Sequence, residues 1–98
     1  MKAFSDQLER ELKFVWLSER LEKDWPIVYK DDSKCCYNLG DIKFWIRGPD
    51  KYNLDKRTLY TVVDSKINKI LNQGYMPEIF DKLPNLIKER LIFEIELL

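Results

Sequence analysis

Residues 42–47, Ile-Lys-Phe-Trp-Ile-Arg, carry the clearest structural pattern in this chain of 98 residues. Apolar side chains at positions 42, 44 and 46 alternate with Lys43, Trp45 and Arg47. Such alternation predicts a strand with one face on the core and the other towards solvent. The sequence Gly48-Pro49-Asp50 follows directly and predicts the end of the strand, because glycine and proline interrupt regular structure.

Two further short strands are predicted upstream, at Ile27–Lys30 and at Cys35–Tyr37. Residues 31–34 separate them and have the composition of a turn, and residues 38–41 predict a second turn before the alternating segment. Three strands connected in this way suffice for a small antiparallel sheet with one solvated face.

The two cysteines are adjacent, at positions 35 and 36. A disulfide between neighbours would be strained and would close no useful loop, so we expect free thiols and a reducing compartment. In a strand the two side chains point to opposite faces, and we expect one to pack and the other to be exposed. The N-terminus lacks the pattern of a signal peptide, and no apolar run approaches 18 residues. A cytoplasmic protein without a membrane partner is therefore expected.

A long N-terminal helix is predicted over residues 5–24, with Ser5 or Asp6 as its N-cap and Trp25-Pro26 as its end. Two apolar groups lie on different sides of this helix. The first group is Leu8, Leu12, Val15 and Trp16, and the second is Phe14, Leu17 and Leu21. Either the helix packs on two sides or one group contacts a partner.

The C-terminal half is predicted to be mainly helical. A helix starts at Asp55 or Thr58 and runs to about Gln73, with Gly74 just past its end, although Leu59–Val63 is β-branched and could be extended. A short helix over Pro77–Lys82 and another from Pro84 to about Arg90 follow, and residues 91–98 fit a helix or a strand.

The predicted fold class is therefore α+β, in a single domain of residues 1–98. It comprises an N-terminal helix, a small antiparallel sheet of two to three strands and a helix-rich C-terminal half.

Catalytic equipment is sparse in this sequence. It has no histidine, which is the usual general base and the commonest metal ligand, and its three glycines form no phosphate-binding loop. One pattern suggests a Mg²⁺-dependent nuclease. In a large nuclease family two acidic residues hold the metal and a lysine assists the attacking water, and here Asp50 and Asp64 match the acidic residues and Lys66 matches the lysine. A three-residue match is common by chance in a chain with 35% charged residues, so we expect no enzyme, no cofactor and no metal site.

Charge leaves two kinds of macromolecular partner open. The chain has 17 acidic and 17 basic residues, but the stretch 43–69 has an excess of four positive charges. Trp45, Tyr52 and Tyr60 lie within that stretch and could stack on bases, so a nucleic-acid-binding accessory protein is one alternative. The balanced total favours a protein target instead, because phosphate binding usually raises the net charge of so small a chain.

The residues predicted to bind that protein are Lys43, Trp45, Arg47, Tyr52 and Tyr75. If Phe44 faces the core, then Trp45 and its two basic neighbours face outward, a composition typical of interface hot spots. The competing interpretation is that the first helix or the C-terminal tail covers Trp45. The function predicted is that of a small non-catalytic protein that modulates or inhibits a protein target, as immunity proteins and phage inhibitors do.

Overall fold

The computed structural model describes residues 2–48 and 57–97 and shows a five-stranded antiparallel sheet with helices before and after it. The helices are α1 (Lys2–Glu11), α2 (Phe14–Leu21) and α3 (Asn85–Glu96), with a 3₁₀ helix at Phe80–Lys82. The strands are β1 (Ile27–Lys30), β2 (Lys34–Leu39), β3 (Ile42–Arg47), β4 (Leu59–Asp64) and β5 (Lys69–Tyr75). Each strand pairs with its neighbours in sequence, in the order β1-β2-β3-β4-β5. The prediction of two to three strands and a helix-rich C-terminal half is wrong.

The error lies in residues 59–75, which form the β4–β5 hairpin instead of a helix. The extended alternative for Leu59–Val63 is confirmed, as expected for residues whose branched side chains suit a pleated sheet. The connecting turn is fixed locally: an Asp64 carboxylate oxygen accepts a hydrogen bond from the Lys66 backbone N–H at 2.9 Å, and Asn68 has a φ of 52°. Asparagine tolerates this left-handed conformation, so the chain reverses here. Gly74 lies within β5, where a Cβ would collide with the Ile79 side chain.

The predicted N-terminal helix is two helices. The helical conformation stops after Glu11, and Lys13 is extended, with φ −85° and ψ 157°. The break explains how residues of both apolar groups reach one core: Leu8 and Leu12 are buried together with Phe14, Leu17 and Leu21. A straight helix would point these groups in different directions. Val15 was expected in the first group, but its side chain is 61% exposed.

The core lies between the helices and one face of the sheet. The buried residues of β2, β3 and β4 on this face are Cys35, Tyr37, Phe44, Ile46, Tyr60 and Val62. They pack with buried side chains of all three helices. The Tyr37 hydroxyl donates a hydrogen bond to the Ser18 carbonyl of α2 at 2.9 Å. Trp25 meets the Tyr37 ring edge-on, with ring centroids 5.8 Å apart. We call this side of the sheet the covered face.

The C-terminal segment resolves the alternative between helix and strand. Only residues 80–82 of the predicted helix over 77–82 are helical, as one turn of 3₁₀ helix. The last helix extends beyond Arg90 as far as Glu96, and its Ile87, Leu91 and Ile95 side chains are buried in the core. Within the ranges 2–48 and 57–97, no helix combines the length and apolar character needed to cross a membrane.

A candidate protein-binding face on the sheet

The face of the sheet opposite the helices carries the candidate site, and we call it the open face. Its side chains form three rows of direct cross-strand neighbours. The middle row is Tyr29, Cys36, Trp45, Thr61 and Gln73, one residue from each strand. The rows on either side are Lys34, Arg47, Leu59 and Tyr75, and Asn38, Lys43, Val63 and Ile70. None of these side chains belongs to the core cluster that the described helices share with the sheet.

Trp45 lies at the centre of the open face and is held by two neighbours. Its ring centroid is 5.7 Å from that of Tyr29, with the ring planes tilted by 44°. The Lys34 ammonium lies 5.5 Å from the Tyr29 ring centroid and 5.9 Å from the Trp45 centroid, within cation–π range of both. Trp45 is half-buried and Tyr29 is 43% exposed. The pair therefore presents aromatic surface whose position is already fixed.

The β1–β2 turn orients this pair through Asp31. One Asp31 carboxylate oxygen accepts a hydrogen bond from the Tyr29 hydroxyl at 2.7 Å. The other accepts from the backbone N–H groups of Ser33 and Lys34, at 2.8 and 2.9 Å. The Tyr29 bond above all, together with these backbone bonds, holds the pKa of Asp31 well below its ordinary value. The Asp31 carboxylate thus ties the Tyr29 ring to the turn from which Lys34 starts.

Cys36 lies between Tyr29 and Trp45 in the middle row, and its side chain is fully buried. The two cysteines point to opposite faces, as predicted, but the expectation that one of them is exposed is wrong, since Cys35 is fully buried too. The aromatic pair on the open face explains the difference, because bulky neighbours can shield a small side chain on a helix-free face. Burial raises the pKa of the Cys36 thiol to about 11, so it is protonated at neutral pH and is a poor nucleophile.

The far side of the open face, on β4 and β5, combines apolar with polar side chains and is partly tied into the fold. The Gln73 amide donates a hydrogen bond to the Thr61 hydroxyl at 2.9 Å. Tyr75 is 39% exposed, and the Arg57 guanidinium lies 5.1 Å from its ring centroid. Arg57 also pairs with Glu78 at 3.1 Å. The Arg57 charge is therefore paired within the fold, whereas part of the Tyr75 ring remains exposed to solvent.

The open face has a one-sided charge. Lys34, Lys43 and Arg47 are its charged residues, and none of the described residues in its three rows is acidic. Arg47 is exposed and the two lysines are half-buried. No ion pair within the described part of the chain involves any of the three. Among the described residues, these three cations therefore have no acidic partner, and they can meet negative charge on a bound protein.

The structure brings four of the five predicted binding residues onto the open face: Lys43, Trp45, Arg47 and Tyr75. Tyr52 lies outside the described residues. Among the described contacts of Trp45, its ring meets Tyr29 and Lys34, rather than the first helix or the tail. The sequence interpretation missed these two neighbours. Their aromatic and basic character was visible, but their pairing with β3 depends on strand register.

The described residues of the basic stretch 43–69 do not form one surface. Tyr60, expected to stack on bases, is 1% exposed and stacks on Phe44 in the core, with ring centroids 6.1 Å apart. The Lys66 ammonium, in the β4–β5 turn, lies 3.4 Å from a carboxylate oxygen of Asp41, in the β2–β3 turn. Among the cations of this stretch that the structure describes, Lys43 and Arg47 lie on the open face.

The nuclease pattern is not assembled by the described residues. Asp50 lies outside them, and the Asp64 carboxylate accepts a hydrogen bond from the Lys66 backbone within a turn. In the ranges that the structure describes, no three acidic or cysteine side chains are grouped so that they could hold a metal ion.

A cleft of about 360 Å³ lies near the N-terminal helix, away from Trp45, and Asp6, Glu9, Arg10, Arg57 and Pro77 contribute to its walls. Glu9 is its most buried acid, with 17% of the side chain exposed, and it pairs with Arg57 at 3.4 Å. Burial raises the pKa of Glu9 despite this ion pair. The cleft thus has mixed charges that partly neutralise one another.

Comparison with protein-family models, curated proteins and solved structures gives no match to this chain. Function is therefore inferred from the open face.

Proposed function

We propose that this chain is a non-catalytic protein that binds a protein target through the open face and thereby modulates or inhibits it, as immunity proteins and phage-encoded inhibitors do. The observation that carries the proposal is the central Trp45, held between Tyr29 and Lys34 on a face of the sheet that the core does not use.

The arrangement has the anatomy of a protein interface. Such interfaces combine an apolar or aromatic centre with a polar rim, and tryptophan, tyrosine and arginine dominate their binding energy. Here Trp45 lies in the middle row, and Lys34, Lys43 and Arg47 lie in the rows on either side. Preformed aromatic contacts also lower the entropy that is lost when a partner binds. These features support a binding surface that is ready in the free protein.

The absence of histidine and the protonated state of the Cys36 thiol support a non-catalytic role. Nucleophilic catalysis requires a nucleophile beside a base. The open face offers cations, aromatic rings and amides instead, which suit recognition.

Binding of single-stranded nucleic acid is the second candidate, because the open face combines aromatic rings with cations and carries no acid in its rows. One observation favours a protein over this candidate. The Lys34 ammonium already lies against the Tyr29 and Trp45 rings on which a base would stack.

Affinity capture from a lysate of the native host tests the proposal. The wild-type chain is compared with Trp45→Ala and with the control Val15→Ala, whose exposed side chain lies on α2. We expect a protein that binds wild type and the control at about 0.15 M salt, and that binds Trp45→Ala at least about 30-fold more weakly, as loss of a hot spot of about 2 kcal/mol requires. Capture that survives nuclease treatment excludes a nucleic-acid bridge. A captured protein that binds all three chains equally would refute the assignment of the open face.

A further inference from the structure

We infer that the target presents an acidic segment to the open face, with carboxylates on both sides of an apolar side chain that packs on Trp45. This inference rests on the proposed function and adds the chemistry of the partner. It starts from the segregation of charge: acids and bases are equally frequent in the chain, yet the charged side chains in the three open-face rows are all cations.

The spacing of the cations defines what the partner must offer. Lys43, Trp45 and Arg47 are alternate residues of β3, so neighbours in this series lie about 7 Å apart and the two cations about 13 Å apart. Lys34 is the cross-strand partner of Arg47 and adds a second cation at that end. A group seated on Trp45 is thus flanked by positive charge along the strand, with more charge at the Arg47 end.

Desolvation makes acidic groups on the partner necessary. When a partner covers Trp45, the neighbouring cations lose part of their contact with water, and a buried charge without a partner is costly. The described residues supply no carboxylate to these three cations, in contrast to Arg57, Lys66 and Lys30, which have acidic partners within the fold. The partner must therefore supply the compensating charge, which also favours fast association and the correct orientation.

The size of the face fits one segment of a protein. Five strands at about 4.8 Å spacing and three rows at about 7 Å spacing cover roughly 19 by 14 Å. One helix, about 10 Å wide, or one extended segment fills this area. A segment in which two acids flank an apolar residue at a separation of about 13 Å matches it, about eight to nine residues apart in a helix or four in a strand.

A display library of random peptides of about 16 residues, long enough to span the open face either along β3 or across the strands, tests the inference with defined probes. The baits are wild type, Trp45→Ala and the charge reversal Lys43→Glu/Arg47→Glu. The matched control reverses two exposed lysines outside the open face, Lys23→Glu/Lys82→Glu. Cooperative unfolding of each bait is checked first, and Trp45→Leu replaces Trp45→Ala if the alanine variant does not fold.

We expect peptides selected on wild type to contain acids at no less than about twice their input frequency. Their affinity should fall at least about tenfold with the charge reversal and with Trp45→Ala, stay unchanged with the control, and weaken as salt increases.

Four results would overturn the inference, and they separate its failure from that of the proposed function. If the selected peptides depend on Trp45 but show no excess of acidic residues, the inference of an acidic partner is wrong and the proposal of protein binding stands. Peptides that bind independently of Trp45, or no selected peptides at all, count against both. If single-stranded oligothymidine binds wild type more tightly than the selected peptides do, and Trp45→Ala abolishes this binding, the open face binds nucleic acid. If wild type self-associates in analytical ultracentrifugation, and both Trp45→Ala and the Lys43→Glu/Arg47→Glu charge reversal abolish this association, the open face binds a second copy of the chain.

Discussion

Two adjacent aromatic residues of β3 give the sharpest test of the division between covered and open faces. Phe44 is fully buried, stacks on Tyr60 and meets Trp25 edge-on, with both pairs of ring centroids 6.1 Å apart. Trp45, the next residue, is half-buried and contacts Tyr29 and Lys34 on the other face. Truncating each residue to alanine removes a large ring from the same strand but from opposite sides of the sheet.

Phe44→Ala should lower the free energy of unfolding about twice as much as Trp45→Ala does. Phe44→Ala removes a core ring and leaves a cavity, which lowers the free energy of unfolding by about 3–5 kcal/mol. Trp45→Ala loses one aromatic pair, about 0.5–1.5 kcal/mol, and a cation–π contact, about 0.5–1 kcal/mol. Its total cost is therefore about 2 kcal/mol. Since chains of this size unfold with roughly 5–15 kcal/mol, the Trp45 variant should stay folded.

Urea unfolding followed by far-ultraviolet circular dichroism measures both values, and target capture measures binding. We expect Trp45→Ala to lose binding while it unfolds cooperatively, and Phe44→Ala to bind in proportion to its folded fraction. Phe44→Leu preserves the comparison if the alanine variant is unfolded. A cost for Trp45→Ala as large as that for Phe44→Ala would refute the assignment of Trp45 to a binding face and make it a structural residue.

Three further predictions concern single polar groups. Tyr37→Phe should lower the free energy of unfolding by about 1 kcal/mol, because the Ser18 carbonyl still accepts a backbone hydrogen bond from its own helix; a loss above about 2 kcal/mol in urea would contradict this. The pKa of Asp31 is lowered in the fold, so its stabilisation is complete above the ordinary value of 3.8 and is lost as the pH falls through the lowered pKa. Asp31→Asn should therefore flatten the fall of the urea midpoint from about pH 5 to about pH 2, and unchanged curves would disprove the role of this carboxylate. The pKa of Glu9 is raised by burial, so its favourable contribution exists below 4.5 and is lost as the pH rises through the raised pKa. Glu9→Gln should thus leave the unfolding free energy at pH 7 unchanged or higher and reduce the difference between pH 4 and pH 7; a clear loss at pH 7 would show that the ion pair outweighs desolvation.

The fold could be predicted from the sequence where the spacing of apolar residues matches the set of side chains that the structure buries. The alternation in residues 42–47 predicts the bounds of β3 correctly, because Ile42, Phe44 and Ile46 all lie on the covered face. Residues 59–75 misled the prediction, because apolar residues at helical spacing were assumed to be buried together. Ile67, Ile70 and Leu71 are instead 66%, 53% and 46% exposed, in and after the turn of a hairpin. Asp64 and Asn68 are residues that favour turns, but the helical spacing of the apolar residues around them outweighs that signal in the sequence prediction.

Apart from Tyr75 of β5, the residues of the candidate site that could be predicted lie along one strand. The period of two in β3 placed Lys43, Trp45 and Arg47 on one face without any knowledge of the neighbouring strands. Tyr29 and Lys34 join them through pairing across β1, β2 and β3, and a shift of one residue would move each of these side chains to the other face. Register depends on contacts between distant segments, which a single sequence does not reveal.

The irregularity in β1 shows how the open face obtains its second aromatic ring. Ile27 pairs with Tyr37 on the covered face, so a regular antiparallel register would pair Val28 with Cys36 and turn Tyr29 towards the core. The register shifts between residues 27 and 29, and Tyr29 pairs with Cys36 instead, beside Trp45. Bulges of this kind redirect side chains and are frequent at sheet edges and beside functional sites. The bulge lies on an edge strand and leaves Val28 53% exposed, while Tyr29 covers Cys36 and supports Trp45. This local departure from regular pairing is independent of the charge pattern, and it points to the same surface.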